Sequence, residues 1–152
     1  TYTDIITIAT LAKATPSVEV TSITPTQESV SFDLDIMDTD NVGAVTAIDL
    51  YLGDTLIESL TDLTLREFTT LLSNNEYTIE VTYTYDLNDG EGSQTALGTQ
   101  TSTTLVKATP SVEVTSITPT QESVSFELEI TDTDSVGEVT AIDLYLGDTI
   151  IE

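Results

Sequence analysis

Apolar and polar residues alternate with a period of two along most of this chain. Val30, Phe32, Leu34 and Ile36 fall on one side of such a pattern, with Ser31, Asp33 and Asp35 on the other. Tyr77, Ile79, Val81, Tyr83 and Tyr85 repeat it against Thr78, Glu80, Thr82 and Thr84, and Ile48, Leu50 and Leu52 give a weaker third case. Successive side chains of a strand point to opposite faces, so each run predicts a strand with one face buried. Thr61–Leu72 carries scattered leucines, but its Thr-rich ending and short length predict a strand there too. No segment shows helical spacing. Gly53-Asp54 predicts a tight hairpin between Tyr51-Leu52 and Leu56-Ile57. Pro16, Pro25, Asn74-Asn75 and Asp89-Gly90 mark other boundaries. The expectation is an all-β chain of short strands.

The pattern repeats. Residues 13–58 recur at 107–152 with an offset of 94, and six of the 46 aligned positions differ. These are Asp33/Glu127, Asp35/Glu129, Met37/Thr131, Asn41/Ser135, Ala44/Glu138 and Leu56/Ile150. The same shift lays 1–12 on 95–106, where Thr1/Thr95, Thr7/Thr101, Thr10/Thr104 and Leu11/Leu105 match. The expected organisation is therefore the final strand of a preceding repeat at 1–12, a complete repeat at 13–106, and the first half of the next at 107–152. Residues 59–94 have no second copy. On this reading the chain is a window on a longer tandem array, or one subunit's share of a continuous fibre.

About seven strands in a 94-residue unit is the spacing of an immunoglobulin-like sandwich. Three features make the unit resemble the fibronectin type III family. Ser17-Val18-Glu19-Val20-Thr21-Ser22-Ile23 resembles its first strand, and Phe32 stands where its second strand carries tryptophan. Leu71-x-Ser73-x-x-x-Tyr77-x-Ile79-x-Val81 resembles its tyrosine corner, with serine in place of proline. The resemblance covers 13–106. It implies an A-B-E sheet packed on a C-C′-F-G sheet, strands A, B, C and C′ within 107–152, and a structural role for Leu71, Ser73 and Tyr77. It implies no chemistry, because one fold hosts many functions.

Composition narrows the function. A formal net charge of −24 argues against nucleic acid and against anionic membrane surfaces. No apolar run reaches the roughly 20 residues of a membrane span. The longest candidate, Thr46–Leu52, is broken by Asp49. The absence of histidine and cysteine removes the commonest bases, nucleophiles and transition-metal ligands. Lys13, Arg66 and Lys107 are the only cationic side chains. Nearly every carboxylate falls on an outward strand position or in a turn, away from any apolar cleft that would raise a pKa for acid catalysis. The expectation is a protein that is not an enzyme.

Two acidic loops carry the remaining chemistry. Asp38-Thr39-Asp40-Asn41-Val42-Gly43 is expected to link the second and third strands, and Asp86-Leu87-Asn88-Asp89-Gly90-Glu91 the last two. The resembled topology puts both at one pole, beside the linker 13–16. Oxygen donors with glycines for tight turns are what a calcium site requires, so Asp38, Asp40, Asn41, Asp86, Asn88, Asp89 and Glu91 are candidate calcium ligands. The competing reading is that Asp, Asn and Gly are favoured turn residues. Lys13 is read as a solvated linker residue, with an internal lysine–asparagine cross-link as the alternative. Tyr51 and Tyr85 are candidates for a sugar-binding face, Tyr51 being the more exposed by alternation.

The functional expectation is a non-catalytic repeat of an extracellular or cell-surface stalk, adhesin or filament. It would supply length, stiffness and solubility, with neighbouring repeats or copies of the same protein as partners. The alternatives are a binding or spacer module of a secreted carbohydrate-active protein, and a filament subunit joined by strand exchange.

Overall fold

The computed structural model describes residues 8–151. Among them the chain is all-β, with eleven strands in four small antiparallel sheets. It divides into two compact units, Thr1–Val106 and Lys107–Glu152.

The first unit holds β1 (Ser17–Pro25), β2 (Val30–Met37), β3 (Gly43–Leu52), β4 (Thr55–Ser59), β5 (Glu67–Phe68), β6 (Glu76–Tyr85) and β7 (Gln94–Thr103). One sheet has the order β1-β2-β5 and the other β4-β3-β6-β7. Val18, Val20, Val30, Phe32 and Phe68 of the first sheet join Ile48, Leu50, Tyr77, Ile79, Val81, Tyr83 and Tyr85 of the second in one buried cluster, giving a β-sandwich-like packing. The alternation of β6 is realised residue by residue: its five odd-numbered apolar positions are buried and its threonines half-exposed. Each fully buried Val, Leu or Ile contributes about 1.5–3 kcal/mol by leaving water, so the core rests on Val30, Ile48, Leu50, Ile79 and Val81. Phe32 and Phe68 stack across the β2–β5 pair with ring centroids 6.0 Å apart.

Details depart from the alternation. Strict period two in β1 would turn Ser22 inward after Val18 and Val20. Instead Ser22 takes φ 52° and the register with β2 shifts between Thr21 and Thr24. That bulge exposes Ser22 and lets Ile23 pack against the core. The strand expected over Thr61–Leu72 shrinks to Glu67–Phe68. Asp62 closes a turn by accepting hydrogen bonds from the N–H and Oγ1 of Thr64, and Arg66 donates to the carbonyls of Leu63 and Leu65. The local side-chain bonds occupy groups a ladder would have used. The inward alternation of β2 also fades at its end, where Ile36 is exposed. The hairpin at Gly53-Asp54 forms as a two-residue turn, Leu52 pairing Thr55 and Gly53 taking φ 58°. The final strand expected at 1–12 falls mostly outside the described residues, and 8–12 are irregular.

The second unit holds β8 (Ser111–Pro119) paired with β9 (Val124–Thr131), and β10 (Tyr145–Leu146) paired with β11 (Thr149–Ile150). Its sequence is nearly that of 13–58, but its side chains are not buried. Val30, Phe32, Ile48 and Leu50 are 0–3% exposed; their counterparts Val124, Phe126, Ile142 and Leu144 are 44–56% exposed. Residues 43–52 form one ten-residue strand, whereas of the matching 137–146 only Tyr145–Leu146 are strand. The cause is the partner: β3 is paired along its length with β6, from Gly43↔Tyr85 to Tyr51↔Thr78. No described strand pairs with 137–144.

Candidate functional site

Chain entry and exit define the two ends of the first unit. At one end the linker meets the β2–β3 loop, where the Ala14 N–H donates to Asp40 Oδ2 at 2.7 Å. Asp38 organises this loop. Its carboxylate accepts from the N–H groups of Val42 and Gly43 at 2.8–3.1 Å and from the Tyr83 hydroxyl at 2.7 Å. Asn41 supplies the left-handed residue of the turn at φ 52°. Gly43 follows because nothing larger fits: a Cβ there would lie 2.5 Å from a Tyr83 ring carbon and 2.6 Å from the Thr84 carbonyl. The Asp86 N–H donates to the Val42 carbonyl, which brings the β6–β7 loop to the same end.

Within that second loop the acids fold the chain locally. Asp86 Oδ1 accepts the Asn88 N–H at 2.7 Å, and Asp89 Oδ1 accepts the Glu91 N–H at 3.0 Å. Asn88 takes φ 58° and Gly90 φ 97°. Both are turns in which the side chain bonds its own backbone two residues on. Among the described residues no three acidic side chains stand close enough together to hold a metal ion. The candidate ligands Asp38, Asp40, Asp86 and Asp89 thus have carboxylate oxygens that accept backbone N–H groups, while Asn41 and Asn88 supply turn geometry and Glu91 an N–H. Calorimetry with and without millimolar calcium tests these residues as ligands: a calcium-dependent rise in melting temperature is expected of a calcium site, and an unchanged one would remove it.

The loop is locally encoded, since it forms in both units. Asp132 accepts from the N–H groups of Val136 and Gly137, both at 3.0 Å, and Ala108 donates to Asp134. Ser135 replaces Asn41 and keeps a positive φ, 51°.

Burial alone would raise the Asp38 carboxyl, but the Tyr83 hydroxyl and the N–H groups of Val42, Gly43 and Asn41 outweigh it and hold it below the ordinary 3.8. Burial, then the bond to Asp38 and its charge, push the Tyr83 phenol above its ordinary 10.0. A depressed carboxyl contributes stability above the unfolded value and loses it as pH falls through the folded one. A raised phenol contributes below the unfolded value and loses it as pH rises through the folded one. Asp38→Asn is therefore expected to lower stability at neutral pH, with the gap to the parent chain closing below about pH 3.8. Urea denaturation of both proteins across that range checks it; a gap that persists in acid contradicts it.

At the opposite end Leu71 and Tyr77 form a corner. The Leu72 N–H donates to the Tyr77 hydroxyl at 3.0 Å, and both Leu71 and Tyr77 are buried. Ser73 contributes its carbonyl, which accepts from the Asn75 amide at 2.8 Å. Sequence reasoning missed Thr104, which is 1% exposed. Its hydroxyl donates to the Leu72 carbonyl at 2.7 Å and accepts the Asn75 N–H at 3.1 Å. It lies just beyond β7 and outside any alternation; the Thr10/Thr104 match was the one available signal. The Leu105 N–H donates to the Thr26 carbonyl, fixing the outgoing chain to the β1–β2 turn.

The aromatic candidates separate. Tyr85 is buried and presents no sugar-binding face, because it ends the inward series of β6. Tyr51 is half-exposed on β3. Lys13 is exposed in the linker. No helix among the described residues is long and apolar enough to cross a membrane. No protein-family model matches this chain, nor does any curated protein or solved structure.

Proposed function

We propose that this chain is a non-catalytic structural segment of an extracellular or cell-surface array, built from fibronectin type III-like repeats of 94 residues. The strand order β1-β2-β5 and β4-β3-β6-β7 supports that family reading, as it is the order the resemblance implies. One observation carries the mechanical reading. The chain enters the first unit beside the β2–β3 and β6–β7 loops and leaves it beside the β1–β2 turn, with a hydrogen bond at each end. Units joined in series through opposite ends add length. Units joined through neighbouring ends fold back.

The linker bond from Ala14 to Asp40 recurs from Ala108 to Asp134, so each copy ties its incoming linker to its own loop. The charge of −24 keeps such an array soluble and its members mutually repelling. The absence of histidine and cysteine leaves little with which to run acid–base or nucleophilic catalysis. Chains carrying one, two, four and eight complete repeats, measured by small-angle scattering, test the proposal. Maximum dimension is expected to grow in proportion to repeat number; a compact particle whose size grows as a cube root would refute it.

A further inference from the structure

We infer that the apolar face of 107–152 is a docking surface for a further copy of the segment 59–106. The face is formed by Val114, Ile117, Val124, Phe126, Ile142 and Leu144, which line a concavity of about 660 Å³. An apolar surface of this kind, contiguous and open, is unusual on a monomeric protein and marks a site of association.

The first unit identifies the occupant. The matching residues Val20, Ile23, Val30, Phe32, Ile48 and Leu50 form part of a core completed by Phe68, Leu71, Tyr77, Ile79, Val81 and Tyr83, all from within 59–106. The six positions at which the two copies differ decide whether the same segment fits the second face. Asp33, Asp35, Met37, Asn41, Ala44 and Leu56 are all exposed in the first unit. None of the differences touches the core face, so a segment that packs on 13–58 meets the same surface on 107–152. The backbone agrees. Residues 137–144 have the sequence of a strand and lack only the neighbour that β6 provides to 43–52.

Residues 13–58 and 107–152 are two acceptor halves, and the donor segment 59–106 is engaged on the first of them. The inference rests on the repeat, and on the proposed array only in taking the donor to be another repeat's second half.

The test uses the full 152-residue chain, the same chain with a further copy of 59–106 joined after Glu152, and residues 59–106 added as a separate polypeptide. Fluorescence of an apolar dye is expected to be strong with the 152-residue chain and to fall on joining the further copy. Amide exchange at 137–144 should slow by about a hundredfold or more, as in a core strand. Added segment should saturate at one per chain. A joined copy carrying Ile79→Asp and Val81→Asp should leave the dye signal high. The inference is overturned if the joined copy changes neither dye binding nor exchange, or if the Asp-bearing copy acts equally well. It is also overturned if the 152-residue chain is a dimer with 137–144 already protected, which would make a second copy's open face the occupant. A compact particle in the scattering series would sink the array and leave this result standing.

Discussion

Phe68→Ala is expected to cost the first unit about 3–5 kcal/mol, the usual penalty for emptying a buried phenyl site. Phe68 is 1% exposed and belongs to a strand of only two residues. That strand is held by its pairing with Val30 and Ser31 and by the Phe32 N–H on the Arg66 carbonyl. So short a ladder has little hold of its own; the ring anchors the segment. Removing it also ends the stack on Phe32, which adds about 0.5–1.5 kcal/mol beyond area burial. For a domain of this size each kcal/mol moves the melting temperature by roughly 4–8 °C, so a drop of about 12 °C or more is expected. Nothing in 107–152 corresponds to Phe68, so the Phe126 signals of that unit should not move. A loss of under about 1 kcal/mol in urea denaturation would contradict an anchoring role.

Thr104→Val is expected to cost about 1–3 kcal/mol although it keeps shape and volume. Valine leaves the Leu72 carbonyl and the Asn75 N–H without the hydroxyl that now serves both. Leu72 is held from two sides, its N–H by Tyr77 and its carbonyl by Thr104. Tyr77→Phe should therefore be costly too, and the double variant should lose less than the sum of the two. Urea denaturation of the four proteins gives the coupling directly. Strict additivity would show that the two hydroxyls act independently.

The strands with long alternation were legible because burial on one face forces the pattern, as β6 shows at all five inward positions. Three features were not. Ser22 turns outward through a bulge, and no residue type near it announces the change of phase. β5 is short because Asp62 and Arg66 spend nearby backbone groups on turns, a competition that apolar spacing does not register. Residues 137–144 are the clearest case. Nearly the same sequence is a strand at 43–50 and irregular there, so the deciding information lies in the neighbour.

The acidic loops show the same division. Their turn chemistry could be read from Asp, Asn and Gly, and the loop forms alike in both units. What could not be read was the long-range partner. Tyr83 lies 45 residues from Asp38, and its hydroxyl was hidden in a run read as apolar. The carboxylates singled out as candidate ligands also accept backbone N–H groups, which their spacing did not announce.

The opposite placement of the two chain ends has a consequence under tension. A pull applied at Pro16 and at Leu105 drags β1 along β2 and β7 along β6, parallel to the strands. The β6–β7 ladder runs unbroken from Glu76↔Thr103 to Tyr85↔Gln94, and the β1–β2 ladder from Ser17↔Met37 to Pro25↔Val30 with its one bulge. Loaded in this direction the bonds of a ladder share the force and must fail together, whereas peeling from one end would break them singly. Rupture should begin where the sharing is interrupted, at the Thr21–Thr24 bulge, and the first segment to leave the fold should be the piece of β1 from Ser17 to Thr21.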